Sequence, residues 1–394
     1  MSEKSFPGRQ ALLAPFGQHT RYILSSYVRH ALVIILAILS VGLSIDILPQ
    51  LSDITGDHSG LDATWRVCWF ALMRSVDLFP RFIPLSTFLG VLWTQVLHTV
   101  SGERILIWNT GRSPLRCLAP VALVALLFGA LQFSFDAYLR PVAMTMLIEE
   151  HLGSRARDFY SEAQRTQWTA SGDDLLLARS ESGSSPALHD LTLYRLTEGG
   201  RLYEVVTARS AIPGPEKGIW IVQDGSYWEI PAPDAGAITS LPSGDDNETK
   251  AVNFTERPIR LGVDPLLVSV SGMYAEHLSL NLLGTLARGA TPDDPRYPFR
   301  TRYQMYYANA LMPGAMALLA ASLSLLLFSY TAPLGRQMIP LPFGYAGHLA
   351  MKTFSLLGDF DYVPPTVAGW SAPIMVLLFS ALLLAVNELR RRKT

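Results

Sequence analysis

Three groupings of charged residues stand out against a largely apolar sequence, and each is spaced for a particular kind of chemistry. The first is Ser101–Pro114, SGERILIWNTGRSP. Ser101 is placed to N-cap a helix, and Glu103 falls in its first turn, where a negative charge favours the helix dipole. Gly111 can end that helix in the left-handed conformation, and Pro114 blocks its continuation. Ile105, Leu106, Ile107 and Trp108 then face lipid or another protein. Such an elbow is either an interfacial helix lying among headgroups or a connector shaped to be gripped. The second grouping is Asp77 and Arg81, four apart and so able to pair on one helix face; alternatively, Arg81 turns towards a lipid phosphate. The third is His348 and Lys352, also four apart. Lys352 either snorkels to the membrane surface or faces a substrate.

Other chemistries lack their residues. There is no G-x-x-x-x-G-K-[ST] loop to hold nucleotide phosphates and no G-x-S-x-G nucleophile elbow. The eight histidines are scattered, without H-E-x-x-H or a pair at metal spacing. Basic residues cluster beside apolar runs without interleaved aromatics, which gives no support for nucleic-acid binding. The two cysteines, Cys68 and Cys117, fall at ends of different spans that should face opposite sides of a bilayer, so no disulfide is expected. No metal or cofactor is expected either. What remains is a membrane protein that moves, holds or senses something with energy from elsewhere.

The elements that position these groups follow from composition. The chain of 394 residues is 49% hydrophobic and only 16% charged, whereas soluble domains carry about 25% charged residues. Runs of about 20 apolar residues cross a bilayer, and six meet that test: Tyr22–Leu48, Leu78–Val100, Cys117–Phe135, Ala308–Ser329, Gln337–Leu357 and Thr366–Val386. They predict an α-helical polytopic membrane protein with a 3+3 arrangement. The first run is too long for a cleavable signal and is expected to act as an uncleaved anchor. Lys4, Arg9, Arg21, Arg29, Arg104, Arg112, Arg116, Arg336 and the basic tail flank one side, which makes both termini and the elbow cytoplasmic by the positive-inside rule. Between spans three and four, QWTASGDDLLLARS, HDLTLYRLTEGGRLYEVVTARSAI and KGIWIVQDGSYWEI alternate apolar and polar residues, with turns between. A hairpin is expected at Glu198–Arg201, and Pro231–Lys250 reads as a loop. The resulting organisation is spans one to three over 1–150, with the elbow helix at 101–113. A β jelly-roll or sandwich on the outer side follows over 151–262, a connecting helix and linker over 263–300, and spans four to six over 301–394. Small residues of span four (Ala310, Gly314, Ala315, Ala317, Ala320, Ala321) permit close packing.

Taken together, these features make the chain resemble the LptF/LptG family of lipopolysaccharide export permeases over its whole length. The family has a proline-marked second span followed by an acidic residue, an apolar stretch and Gly-x-[Ser/Thr]; Pro84, Glu103, Gly111 and Ser113 fill those positions. Its β-domain is entered through an Arg-Pro like Arg140–Pro141, and VPPTVAGWSAPIMVLLFSALLL is similar to its last span. RYILSSYVRH and LYRLTEGGRLYEVVTARSAI are more similar to the LptG half.

The resemblance implies a permease subunit of an ABC-type complex in the bacterial inner membrane. Its implied partners are a sister permease, a dimer of cytoplasmic ATPases, a bitopic protein with a similar periplasmic domain, and lipopolysaccharide itself. Glu103, Arg104, Trp108, Gly111 and Arg112 would then couple to the ATPase. Two departures stand out. Gly102 and Arg104 replace the commoner Ser and Leu, and the end of span one carries Asp46 where the family tends to place bases that meet lipid phosphates. Either the phosphates are bound elsewhere, or the substrate is less anionic, or the sister subunit supplies the cations; within this chain, Arg81, Lys352 and Arg74 are the candidates for the headgroup contact. A membrane scaffold and a lipid-modifying enzyme are the competing readings; the enzyme would need a nucleophile or metal cluster at a span end, and the sequence offers none.

Overall fold

The computed structural model describes residues 18–104, 118–163, 165–171, 174–181, 186–197, 199–216, 218–230, 251–289, 297–328 and 334–391. They form two compact units, one from the two ends of the chain and one from Ser154–Tyr274.

The first unit is a helical bundle. Its members are α1 (Gln18–Ile47), α2 (Leu61–Val100), α3 (Ala119–Glu149), α5 (Leu280–Arg288), α6 (Tyr297–Leu327), α7 (Pro340–Asp359) and α8 (Pro365–Arg391); α4 (Gly153–Ala163) leads into the second unit. Five of these helices are long and apolar enough to cross a membrane: α1 with the short helix after it, α2, α3, α6 and α8. The sixth expected span corresponds to α7, which at 20 residues has the length of a span. Its His348, Lys352, Asp359 and several glycines dilute its apolar character. α2 starts at Leu61 rather than Leu78, since its first turns are too polar to read as a span.

α1 meets the bundle along a single stripe, Ile23, Tyr27, Ala31 and Ile35, spaced by four. α6 is the hub, packing against α2, α3, α5, α7 and α8. In its most apolar stretch 67% of residues are buried, against 17% in α1. Its small residues make this possible, as the sequence suggests. A methyl on Gly129 of α3 would fall 2.5 Å from the Ala310 carbonyl oxygen, and one on Gly314 of α6 would fall 2.8 Å from Cβ of Ala125. α3 is interrupted by a π-helical segment, Phe135–Leu139, directly before Arg140–Pro141. Wide turns of this kind recur at functional positions in helices.

The second unit is built on a six-stranded antiparallel sheet. Its strands are β1 (Thr166–Ser171), β2 (Asp174–Glu181), β3 (Ala187–Leu196), β4 (Leu202–Pro213), β5 (Ile219–Glu229) and β6 (Val252–Arg260), paired in sequence order. The expected hairpin joins β3 to β4, where Thr197 N–H donates to the Arg201 carbonyl at 2.8 Å. The loop expected at 231–250 lies outside the described residues. Alternate residues, including Leu176, Leu193, Val206, Ala208, Trp220 and Val222, bury one face. Trp220 satisfies its indole N–H on the Val263 carbonyl at 3.0 Å. On the same sheet, buried Glu204 accepts from Arg195 at 3.0 Å and from Arg257 at 2.8 Å. β1 and β6 each have one ladder edge unpaired among the described residues.

The return to the bundle is broken rather than one helix. Asp264 caps a short helix, Pro265–Ser269, by accepting from Leu266 N–H at 2.9 Å. A 3₁₀ turn, Ala275–His277, and then α5 follow.

Candidate functional site

The charged groupings of the sequence lie at the two ends of the bundle. At the elbow end, Ser101 does not N-cap the following helix. It is the C-cap of α2, its N–H donating to the Leu97 carbonyl at 2.9 Å, and Gly102 at φ +76° carries the left-handed exit. Two residues on, Glu103 is partly exposed; its carboxylate accepts from His98 Nδ1 at 2.5 Å and from the Tyr22 hydroxyl at 3.3 Å. Arg104 turns the other way and is buried. It donates to the Ser324 carbonyl in the last turn of α6 at 3.0 Å and to Thr99 Oγ1 at 3.2 Å, and its guanidinium lies 5.7 Å from the centre of the Phe328 ring. A cation on these carbonyls caps the helix and complements its dipole. Trp108, Gly111 and Arg112 lie outside the described residues, as does Cys117; Cys68 is a free, exposed thiol.

At the other end, where the chain leaves for the sheet and returns, ionisable groups from α1, α2, α3, α6, α7 and the 275–277 turn form one network. Arg74 grips Asp46 with both arms, at 2.6 and 2.9 Å, and also donates to Asp77. The acid that departs from the family pattern at the end of α1 is therefore the counter-ion of Arg74. The Asp77–Arg81 pairing is present at 3.3 Å. Asp77 is fully buried and accepts in addition from Arg140 Nε at 2.7 Å, while His277 Nε2 stands 3.5 Å away. Burying a charge is tolerated only when it is paired and hydrogen-bonded, and Asp77 meets that condition with groups from three elements.

A small cavity of about 50 Å³, room for a few waters, opens beside this network. Arg81, Arg140, Arg302 and Lys352 line it, against the carboxylates of Asp136 and Glu276. Glu276 lies 3.1 Å from Arg81, 3.3 Å from Arg140 and 3.6 Å from Arg302. Arg302 also donates to Asp359 at 2.5 Å. Lys352 is exposed on α7, and among the described residues no carboxylate lies within ion-pair distance of it. Burial works to raise the Glu276 carboxyl, but Arg140, Arg81 and Arg302 outweigh it and hold the group down at about 2. Burial pushes His277 below the usual imidazole range, against the opposing pull of Asp77.

Of the residues singled out by sequence, the structure brings Arg81 and Lys352 to one cavity and sets Arg74 behind them. Glu103 and Arg104 go to the far end. Sequence reasoning missed Asp136, Glu276, His277, Arg302 and Asp359, and read Arg140 only as part of a motif. Asp136 and Arg140 did carry a signal, because ionisable residues four apart in an apolar helix mark function by default. Glu276 carried none. With four cations lining the cavity against two carboxylates, the arrangement is suited to binding an anion.

No curated protein matches the chain. The family model for the lipopolysaccharide export system permease LptF/LptG matches residues 21–386. The chain belongs to the LptF/LptG family of lipopolysaccharide export permeases.

Proposed function

We propose that this chain is one of two permease subunits in an ABC-type complex that lifts lipopolysaccharide from the outer leaflet of the inner membrane. ATP is hydrolysed by a separate pair of cytoplasmic subunits, which grip the elbow, with Glu103 as the acidic contact and Arg104, Trp108, Gly111 and Arg112 around it. The sheet lies in the periplasm and passes the lipid to a similar domain of a bitopic partner and onward to a periplasmic bridge. Both termini are cytoplasmic, and α7 is the sixth span. The LptG role is favoured by RYILSSYVRH and the β3–β4 sequence.

The observation that carries this reading is the cavity at the insert end, bordered by Arg81, Arg140, Arg302 and Lys352. Lipopolysaccharide headgroups bear phosphates, and cations partly shielded from water bind phosphate more strongly than exposed ones do. Arg81 and Lys352 make the headgroup contact, and Arg74 supports them by holding Asp77. The unpaired edges of β1 and β6 support docking of another sheet by strand addition. Arg104, tied to the last turn of α6, gives an elbow movement a direct hold on the central helix.

The test is reconstitution of the chain with its sister permease and ATPase in nanodiscs, scored by lipopolysaccharide-stimulated ATP hydrolysis. Substituting Arg81 and Lys352 together by Gln should abolish the stimulation and leave basal hydrolysis intact. Undiminished stimulation would exclude the headgroup assignment, and ATP hydrolysis by the isolated chain would exclude the permease reading.

A further inference from the structure

Glu276 differs from every other carboxylate around the cavity in where it sits on the chain. Asp77, Asp136 and Asp359 belong to long helices of the bundle, whereas Glu276 is on the 3₁₀ turn Ala275–His277. That turn starts at the residue where the bundle unit resumes, because the sheet unit ends at Tyr274. Glu276 is thus borne by the covalent connection that brings the chain back from the sheet.

Its ion pairs reach three helices. Within the network, pairs include 2.5 Å for Arg302–Asp359, 2.7 Å for Arg140–Asp77, 3.3 Å for Arg81–Asp77 and 3.7 Å for Arg140–Asp136, where about 2.7–2.9 Å is usual for charge-assisted bonds. Glu276 stands 3.1, 3.3 and 3.6 Å from guanidiniums of α2, α3 and α6, among the longer of these separations. Three cations converge on a carboxylate that is too small to close on all of them. A tetrahedral oxyanion presents three acceptor oxygens and carries a charge of about −1.5 to −2, so it fits both the spacing and the number of donors better. The cavity lining points the same way: Arg81, Arg140, Arg302 and Lys352 face only Asp136 and Glu276 there, and Lys352 has no carboxylate within ion-pair distance among the described residues.

We propose that Glu276 is a tethered counter-ion occupying a phosphate site formed by Arg81, Arg140, Arg302 and Lys352, and that a phosphate group carried on a lipid displaces it. With the carboxylate in place the cavity holds only a few waters. When the connection withdraws, four cations from four helices face the vacated space. The lipid phosphate and the Glu276 side chain therefore compete for one position, and arrival of the lipid is reported to the strand-to-bundle connection. This rests on the export reading above and extends it by naming the chemical group bound, two further ligands, and the internal competitor.

The experiment uses the complete permease–ATPase complex in nanodiscs and two probes, lipid A bearing two phosphates and the same lipid after enzymatic dephosphorylation. Glu276→Gln removes the competing charge but keeps the size of the side chain. It should tighten binding of the phosphorylated lipid by about tenfold, the change expected from one charge-assisted hydrogen bond, and leave the dephosphorylated lipid unchanged. Arg302→Gln should weaken the phosphorylated lipid several-fold and leave the other unchanged, and it serves alone if the Glu276 variant does not assemble. Equal effects on both lipids, or no tightening in an assembled Glu276 variant, would overturn the proposal. Stabilisation of Glu276→Gln by inorganic phosphate, with lipid binding unaltered, would place a free anion in the site and overturn the lipid assignment. If the wild-type complex binds neither lipid, the export reading itself fails.

Discussion

The two ends of the bundle solve opposite electrostatic problems. At the elbow, the cation is buried and the anion is reachable: Arg104 is sunk onto the last turn of α6, and Glu103 stays partly exposed with His98 and Tyr22 as light partners. At the insert end, Asp77 is fully enclosed and Asp136 nearly so, with Arg74 and Arg140 buried beside them. Arg81, Arg302, Glu276, Asp46 and Asp359 are partly exposed, and the most accessible charge of the network is Lys352. One helical body thus offers an acid at one pole and a base at the other. On the function proposed above, those poles would meet a basic protein surface and an anionic lipid headgroup. The lesson is that sign of charge alone does not mark a binding group; which member of each pair is left accessible does.

Breaking the hub of the insert end should have the largest effect. Asp77→Ala leaves Arg74, Arg81 and Arg140 without their shared carboxylate, and removing one partner from a buried pair costs about 3–5 kcal/mol. The expected result, read by thermal unfolding of the purified chain, is a chain that melts well below wild type or fails to assemble. A melting temperature within a degree or two of wild type would show that the network is not holding the helices. Arg104→Met comes next, because it leaves the Ser324 carbonyl without its cation. Loss of a hydrogen bond to a charged group costs about 1.5–3 kcal/mol, again visible as a lowered midpoint. Glu103→Ala should cost about 1 kcal/mol, less than Arg104→Met, because buried His98 loses this acceptor, yet abolish co-purification of the ATPase. If Glu103→Ala destabilised as much as Arg104→Met, the contrast drawn within the elbow would fail.

The smallest effect is a pH dependence. His277 has a folded-state pKa below its unfolded value, so the unfolded chain binds more protons around and below pH 6.5. Its contribution to stability is complete above 6.5 and is lost as pH falls towards the depressed value. Glu276, held at about 2, contributes above its ordinary 4.5 and loses that contribution between 4.5 and 2. The melting temperature should therefore decline in two stages on acidification. His277→Gln should flatten the first stage and leave the second, and a profile unchanged by that substitution would remove His277 from the account.

Much of this was legible in the sequence and some could not have been. Apolar length gave α1, α3, α6 and α8, and two-residue alternation with Gly199–Gly200 gave the β3–β4 hairpin, because both signals are local. The i,i+4 spacing gave Asp77–Arg81 for the same reason. Ser101 misled, since the same residue type serves a helix start and a helix end, and only the position of Gly102 decides between them. The cavity was out of reach. Arg81 and Glu276 are 195 residues apart, and Asp46 and Arg74 are 28 apart on different helices. No periodicity links such residues, and Asp46 looked like a missing base until its partner was in view.

The wide turn in α3 has a further consequence. Each residue of a regular helix rotates the chain by about 100°. The surplus residue accommodated in Phe135–Leu139 therefore sets the azimuth at which everything downstream emerges, Arg140 included. Deleting one residue there would keep the rod continuous but swing Arg140 about a quarter-turn or more away from Asp77. A length change of a single amino acid, with no charge altered, would thus disarm the cation-rich pole.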